Sequence, residues 1–122
     1  MPTPNEIKKD CVRLAVVGSR TFHDYNRLRE VLFKYTPSEI VSGGAVGTDS
    51  LAERYAKEQN IALTIFRPDW NTHGKKAGFL RNKIIVEHSD RVIAFWDGKS
   101  KGTKSTIDYA KQLKKECVIC LI

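Results

Sequence analysis

The sequence predicts an α/β fold, a Rossmann-like three-layer sandwich with a mostly parallel five-stranded sheet. Three observations carry this reading. Short β-branched and aliphatic runs alternate about five times with segments whose apolar residues recur at helical spacing. Glycine-bearing turns follow the strand candidates, at Gly18, at Gly43-Gly44 with Gly47, and at Gly98 with Gly102. No linker or internal repeat interrupts the alternation, so the strands are expected to join through right-handed helical crossovers.

Residues 1–10 are mostly polar, with Pro2 and Pro4, and are expected to form a flexible tail ahead of a single domain over residues 11–122. The first strand, 11–17, is mostly apolar and is therefore expected to be central, covered on both faces. After it, Asp24 is a candidate N-cap for a helix with Leu28, Val31, Leu32 and Tyr35 on one face, and Pro37 marks the exit. The second strand is 39–42. The second helix buries Leu51, Ala52, Tyr55 and Ala56 and ends near Gln59 and Asn60. The third strand, 61–66, opens a long loop carrying Pro68-Asp69-Trp70 and His73. The third helix starts between Lys75 and Phe79, runs to about His88 and is expected to bury Leu80, Ile84 and Ile85. A fourth strand, 91–96, precedes a helix with Ile107, Ala110 and Leu113 on its inner face, and the strand 117–121 ends the chain.

Bulk composition bounds the function. The 122 residues (13.8 kDa), 41% hydrophobic and 29% charged, fit one globular domain with an ordinary core. No apolar run approaches the roughly eighteen residues of a membrane span, and no charged-then-apolar leader precedes the first strand, so a cytoplasmic protein with no membrane partner is expected. Cys117 and Cys120 have the letter spacing of a redox or zinc motif. Residues three apart on a strand point to opposite faces, so they read as core or near-core thiols. The histidines His23, His73 and His88 show no zinc-type spacing, and neither a metal nor a cofactor is expected. His88 suits a helix C-terminus, and His23 is an acid–base candidate near the phosphate rim. The net charge of +7 favours polyanions, and Lys99, Lys101, Lys104, Lys111, Lys114 and Lys115 concentrate positive charge in the last third.

In a parallel sheet every strand-to-helix loop lies at the C-terminal edge, and ligands bind there where strand order reverses. Neither a Walker loop nor the dinucleotide fingerprint occurs. What the loops offer instead is Gly18-Ser19-Arg20, whose guanidinium suits phosphate or carboxylate, and Ser42-Gly43-Gly44 with Gly47 opening a helix N-terminus. Thr48 and Asp49 read either as caps of the second helix or, for Asp49, as a ribose acceptor. Asp69 and Trp70 lie on the long loop. Arg81-Asn82 follows Gly78 early in the third helix, Asp97 tips the fourth strand, and Ser100, Gly102 and Thr103 form a third anion-binding turn. Trp70 or Trp96 could stack on a base, packing being the competing role for Trp96.

Assembled, Gly-Ser-Arg, Val-Ser-Gly-Gly-Ala-x-Gly-x-Asp, Pro-Asp-Trp, Ala-Gly-x-x-Arg-Asn and Ala-Phe-Trp-Asp-Gly-x-Ser-x-Gly-Thr resemble the SLOG superfamily, in the YspA-like, YpsA-related (DUF2493-type) branch. The resemblance implies a nucleotide-binding domain for a nucleotide or ADP-ribose-like derivative, found in bacteria and their phages. Some relatives are enzymes and others sensors or carriers. In LOG-type phosphoribohydrolases, an arginine matching Arg81 and a glutamate serve catalysis; here that glutamate falls at Thr106, which leaves Asp97 or Asp49 to supply a carboxylate. The leading expectation is a nucleotide-binding protein, either a sensor or a nucleoside-monophosphate hydrolase, that forms a homodimer. The alternatives are a nucleic-acid-binding module using the C-terminal lysines and a phage–host protein-interaction module.

Overall fold

A computed structural model describes residues 12–122. The expected tail and Cys11 lie outside the described residues. Five strands, β1 (Arg13–Gly18), β2 (Glu39–Ser42), β3 (Ala62–Ile65), β4 (Arg91–Trp96) and β5 (Glu116–Leu121), form one sheet in the order β3-β2-β1-β4-β5. Every pairing is parallel, so the sheet is parallel throughout. The apolar β1 is central, as its composition predicts. Chain order reverses across the β1–β4 pair, where Leu14 faces Arg91 and Gly18 faces Phe95.

The alternation along β1 sorts the core into two layers. Leu14 and Val16 point to one face with Ile40, Ile93 and Phe95, and are covered by α1 (Tyr25–Phe33) through Leu28 and Leu32 and by α2 (Thr48–Glu58) through Ala52, Tyr55 and Ala56. Ala15 and Val17 point to the other with Val41, Val92 and Ala94. They are covered by α4 (Ala77–His88) through Ile85 and Val86 and by α5 (Lys101–Gln112) through Ile107 and Ala110. Cys120 packs on the first layer and Cys117 on the second, the opposed arrangement that strand geometry requires.

Three sequence expectations need correction. The segment after β3 is not a plain loop: α3 (Trp70–His73), capped by the Asp69 carboxylate on the Thr72 amide, runs into a 3-10 turn at Gly74–Lys76. Ile84 is 47% exposed, because the buried residues of α4 are Ala77, Ile85 and Val86, with half-buried Arg81 in line between Ala77 and Ile85. Leu113 is 38% exposed because it is the C-cap, beyond the last turn of α5.

The C-terminal end of α4 shows how the edges opposite the site are secured. Lys115, in the turn before β5, donates from Nζ to the carbonyls of Val86 (2.6 Å), Glu87 (2.9 Å) and Ser89 (2.6 Å). These carbonyls cluster at the negative end of the helix dipole, where the Ser89 amide reaches only that of Val86, and one ammonium donates to all three. His88 in the same turn contacts Glu39 of β2 at 2.7 Å. Lys115→Met keeps the stem and removes the donors; it should lower the unfolding free energy by about 1.5–3 kcal/mol. Urea denaturation measures this, and an unchanged midpoint contradicts the role.

Candidate functional site

The site is built at the ends of β1, β2 and β4 by three loops locked to one another. At the β1 exit, the Ser19 amide donates to the Phe95 carbonyl of β4 (3.0 Å). The Ser19 carbonyl in turn accepts from the Thr48 amide (3.2 Å) and the Thr48 hydroxyl (2.8 Å) at the start of α2. Thr48 is fully buried, so this hydroxyl serves as a tie between loops rather than as a cap. The N-cap of α2 is Gly47, at φ 75° and ψ −124°, and a Cβ there would collide with the Arg20 backbone. Only glycine fits where the second loop crosses the first so closely.

Asp49, in the first turn of α2, is 8% exposed and turns back to accept from the Ala45 amide at 3.1 Å. Burial pushes its carboxyl pKa up, against the opposing pull of the Ala45 amide and of Arg81. Arg81 of α4 is half-buried. Its Nη1 donates to the Gly43 carbonyl and its Nε to Asn82 Oδ1 at 2.8 Å. A Cβ on Gly43 would lie 2.6 Å from Arg81 Nη1 and 2.9 Å from Asp49 Oδ2, so the bare backbone is what lets arginine and carboxylate approach this turn. Burial lowers the Arg81 pKa and Asp49 opposes that shift; the guanidinium stays charged.

Between these loops and α5 lies a cavity of about 590 Å³. The sequence-named residues Gly18, Arg20, Asp49, Arg81, Asn82, Ser100, Gly102 and Thr103 all line it. An adjoining hollow of about 340 Å³ shares Arg20, Ala45 and Arg81 with it and adds Gly43, Gly44, Arg67 and Trp70, whose ring is 54% exposed. Together these surfaces carry Arg20, Arg67, Arg81 and Lys101 against one carboxylate, Asp49. The N-termini of α2, α4 and α5 border the same space.

Other sequence-named residues serve the frame of the site and line neither hollow. Ser19 is buried and its hydroxyl meets Thr21 Oγ1 at 2.9 Å. Ser42 is fully buried, donating to Glu53 (3.0 Å) and accepting from the Gly44 amide (3.3 Å). Gly47 is the crossing point described above. Asp69 caps α3, and its contacts with Thr72 hold its carboxyl below the usual range. Trp96 packs on the second core layer, its Nε1 donating to the Ser100 carbonyl at 3.1 Å. Asp97 is exposed and folds over its own turn, accepting from the amides of Ser100 and Lys99, both at 2.8 Å, which holds its carboxyl low.

Conversely, Ala45, Arg67, Phe79 and Ser105 line the hollows without having been singled out, as do Lys101, named only among the C-terminal lysines, and Thr106, named only as the position of the hydrolase glutamate. Phe79, Lys101, Ser105 and Thr106 lie in the first turn or two of α4 and α5, and a helix that begins at the rim necessarily turns such residues toward it. Thr106 is buried, its hydroxyl donating to the Gly102 carbonyl at 3.0 Å. No cluster of metal-ligating side chains occurs among the described residues.

The raised pKa of Asp49 fixes the sign of a pH effect. The native state holds this proton more tightly than the unfolded chain, so Asp49 weighs against stability as pH rises through its folded pKa. Asp49→Asn removes that dependence. The stability of the wild type relative to the variant should fall as pH rises from 4 toward 7, by at most about 1.4 kcal/mol per pH unit. Parallel denaturation curves across that range check it; a difference that grows in favour of the wild type contradicts it.

The comparisons with known proteins fit this geometry. A sequence model of the "YspA, cpYpsA-related SLOG family" matches residues 12–73, which hold the first two glycine turns and Asp69-Trp70. The chain is 32% identical over 111 residues to the "Gene 61 protein" of Mycobacterium phage D29, an alignment covering 82% of this chain and 89% of that protein. It is 22% identical over 130 residues to the SPbeta prophage-derived protein YoqJ of Bacillus subtilis (strain 168), covering 70% of this chain and 76% of the other. Among solved structures, DNA processing protein A from Streptococcus pneumoniae superposes with a TM-score of 0.76 at 19% identity over 91% of this chain. The chain spans half the length of that protein. DNA processing protein A from Helicobacter pylori, which has a unique single-stranded DNA binding mode, gives a TM-score of 0.69 at 24% identity over 92% of this chain and 67% of its own. The chain therefore belongs to the YspA, cpYpsA-related SLOG family.

Proposed function

We propose that the rim of the sheet binds a phosphorylated nucleoside, a nucleotide or an ADP-ribose-like derivative. The observation that carries this is the placement of Arg20 and Arg81, with the N-termini of α2 and α5, around one cavity whose single carboxylate is the buried Asp49. Guanidinium forks and helix N-termini are matched to a phosphate. Asp49 has one oxygen tied to the Ala45 amide, and the carboxylate is the acceptor we assign to a ribose hydroxyl. The base then lies toward Trp70, whose exposed ring flanks the hollow reached past Arg20 and Arg81.

Binding is a better-supported reading than hydrolysis of the glycosidic bond. At the position of the hydrolase glutamate, Thr106 presents a hydroxyl already donated to Gly102. Asp97 does not line the cavity, and its Oδ1 accepts from the amides of its own turn. A hydrolytic step would fall to Asp49 with Arg81.

A second reading, the same rim holding a nucleic-acid strand, is favoured by the single-stranded DNA binding of the Helicobacter pylori protein and by Lys101 in the cavity lining. The lysine-rich segment does not act as one surface, since Lys115 is committed to α4 and Lys104 pairs with Asp108 at 3.0 Å. A strand would show binding that weakens steeply with salt, whereas a mononucleotide releases few counterions.

Mass spectrometry of gently purified protein for a co-bound nucleotide, followed by calorimetry with AMP and ADP-ribose, tests the proposal. Arg81→Ala should weaken binding roughly 10- to 100-fold, the worth of one charged hydrogen-bonding partner. No retained ligand and no heat with either compound contradicts it.

A further inference from the structure

The rim cavity does not end at the start of α5. Across Phe79, Lys101 and Ser105, which line both spaces, it opens into a groove of about 380 Å³ between α4 and α5. Two aromatic rings and three lysines edge this groove: Phe79, which is 48% exposed, Tyr109, and Lys83, Lys101 and Lys104. Asp108 is its one acid and is paired with Lys104 at 3.0 Å. The Lys83 ammonium stands 4.8 Å from the Phe79 ring centroid and 5.4 Å from that of Tyr109. Lys83 and Lys101 take part in no ion pair among the described residues.

The surface is thus cationic and aromatic at once, and it is continuous with a cavity whose own cations suit a phosphate. Phe79 takes no part in the buried core layers and points away from the Ala77–Arg81–Ile85 line of α4, whereas Tyr109 is partly buried against the second layer. Aromatic faces beside lysines are matched to a planar base with an adjoining phosphate, and the excess of positive charge selects an anionic occupant.

We propose that the α4–α5 groove is the subsite for a second nucleotide unit. The ligand whose first nucleotide fills the rim cavity continues through a phosphate linkage, carried by Lys101 and Lys83, to a base against Phe79 and Tyr109. This rests on the nucleotide reading of the rim and narrows it to ligands with two phosphate-linked nucleosides. The linkage is either the phosphodiester of an oligonucleotide or the pyrophosphate of a dinucleotide.

Calorimetry at low salt with AMP, 5′-phosphorylated diadenylate and diadenosine diphosphate separates the cases. One of the two-nucleoside ligands should bind at least about tenfold tighter than AMP, and which one does so identifies the linkage. Lys83→Glu should abolish that advantage and leave AMP affinity within about twofold, because Lys83 lines only the groove. Lys83→Gln, milder for folding, should reduce the advantage. Two-nucleoside ligands that bind no tighter than AMP, or an advantage that survives both variants, overturn the groove while leaving the rim proposal standing. Silence from all three ligands overturns both.

Discussion

The backbone of Ser19 is the constraint on which the site depends. It lies one residue beyond the central strand, and in that position it joins three elements: its amide binds β4 through Phe95, and its carbonyl binds the first residue of α2 twice through Thr48. Burying these groups without partners would cost more than the bonds return, so the loops cannot part cheaply. The crossing at Gly47, where a side chain would strike the Arg20 backbone, belongs to the same knot. Arg20 is therefore set on the cavity by backbone geometry, although its own side chain is exposed and lightly held.

A rim built in this way has an electrostatic consequence. The sheet brings the positive ends of several helices to one edge, and the cavity adds arginine to them while admitting one carboxylate. Asp49 survives there because the Ala45 amide and the field of Arg81 offset part of its burial cost, and Arg81 is in turn kept next to the loop by the Gly43 carbonyl. The pair is neutral overall, so Arg20 and Lys101 leave the cavity lining net positive. The formal charge of +7 on the whole chain works in the same direction, raising the local concentration of anions before any contact forms.

Much of the fold was legible because strand patterning and glycine turns are local signals. The central place of β1 followed from its mostly apolar run, and the stripe of α2 from Ala52, Tyr55 and Ala56. Helix α4 resisted the same treatment because Arg81, which faces the cavity, lies in line between its buried Ala77 and Ile85. A stripe drawn through apolar letters alone skips the arginine and arrives at Ile84, on the wrong side. Within the site, Arg20, Asp49, Arg81 and the α5 turn were visible as residues whose chemistry suits an anion. The division of labour was not. Ser19, Ser42, Trp96 and Asp97 carry equally suitable groups, and only the three-dimensional partners show that Ser42 is tied to Glu53 and Asp97 to its own turn. Phe79 was missed for the converse reason, and Lys101 was named only with the C-terminal lysines, since nothing in their neighbours in sequence reveals that two helices open a groove there.

The rim is part of the rigid core rather than a set of mobile loops, and amide hydrogen exchange tests this directly. The Ser19 and Thr48 amides donate to buried acceptors in this knot. They should exchange only through global unfolding, with protection equal to that of the β1 amides. Exchange of either amide on the timescale of exposed loops, while β1 stays protected, would contradict the account.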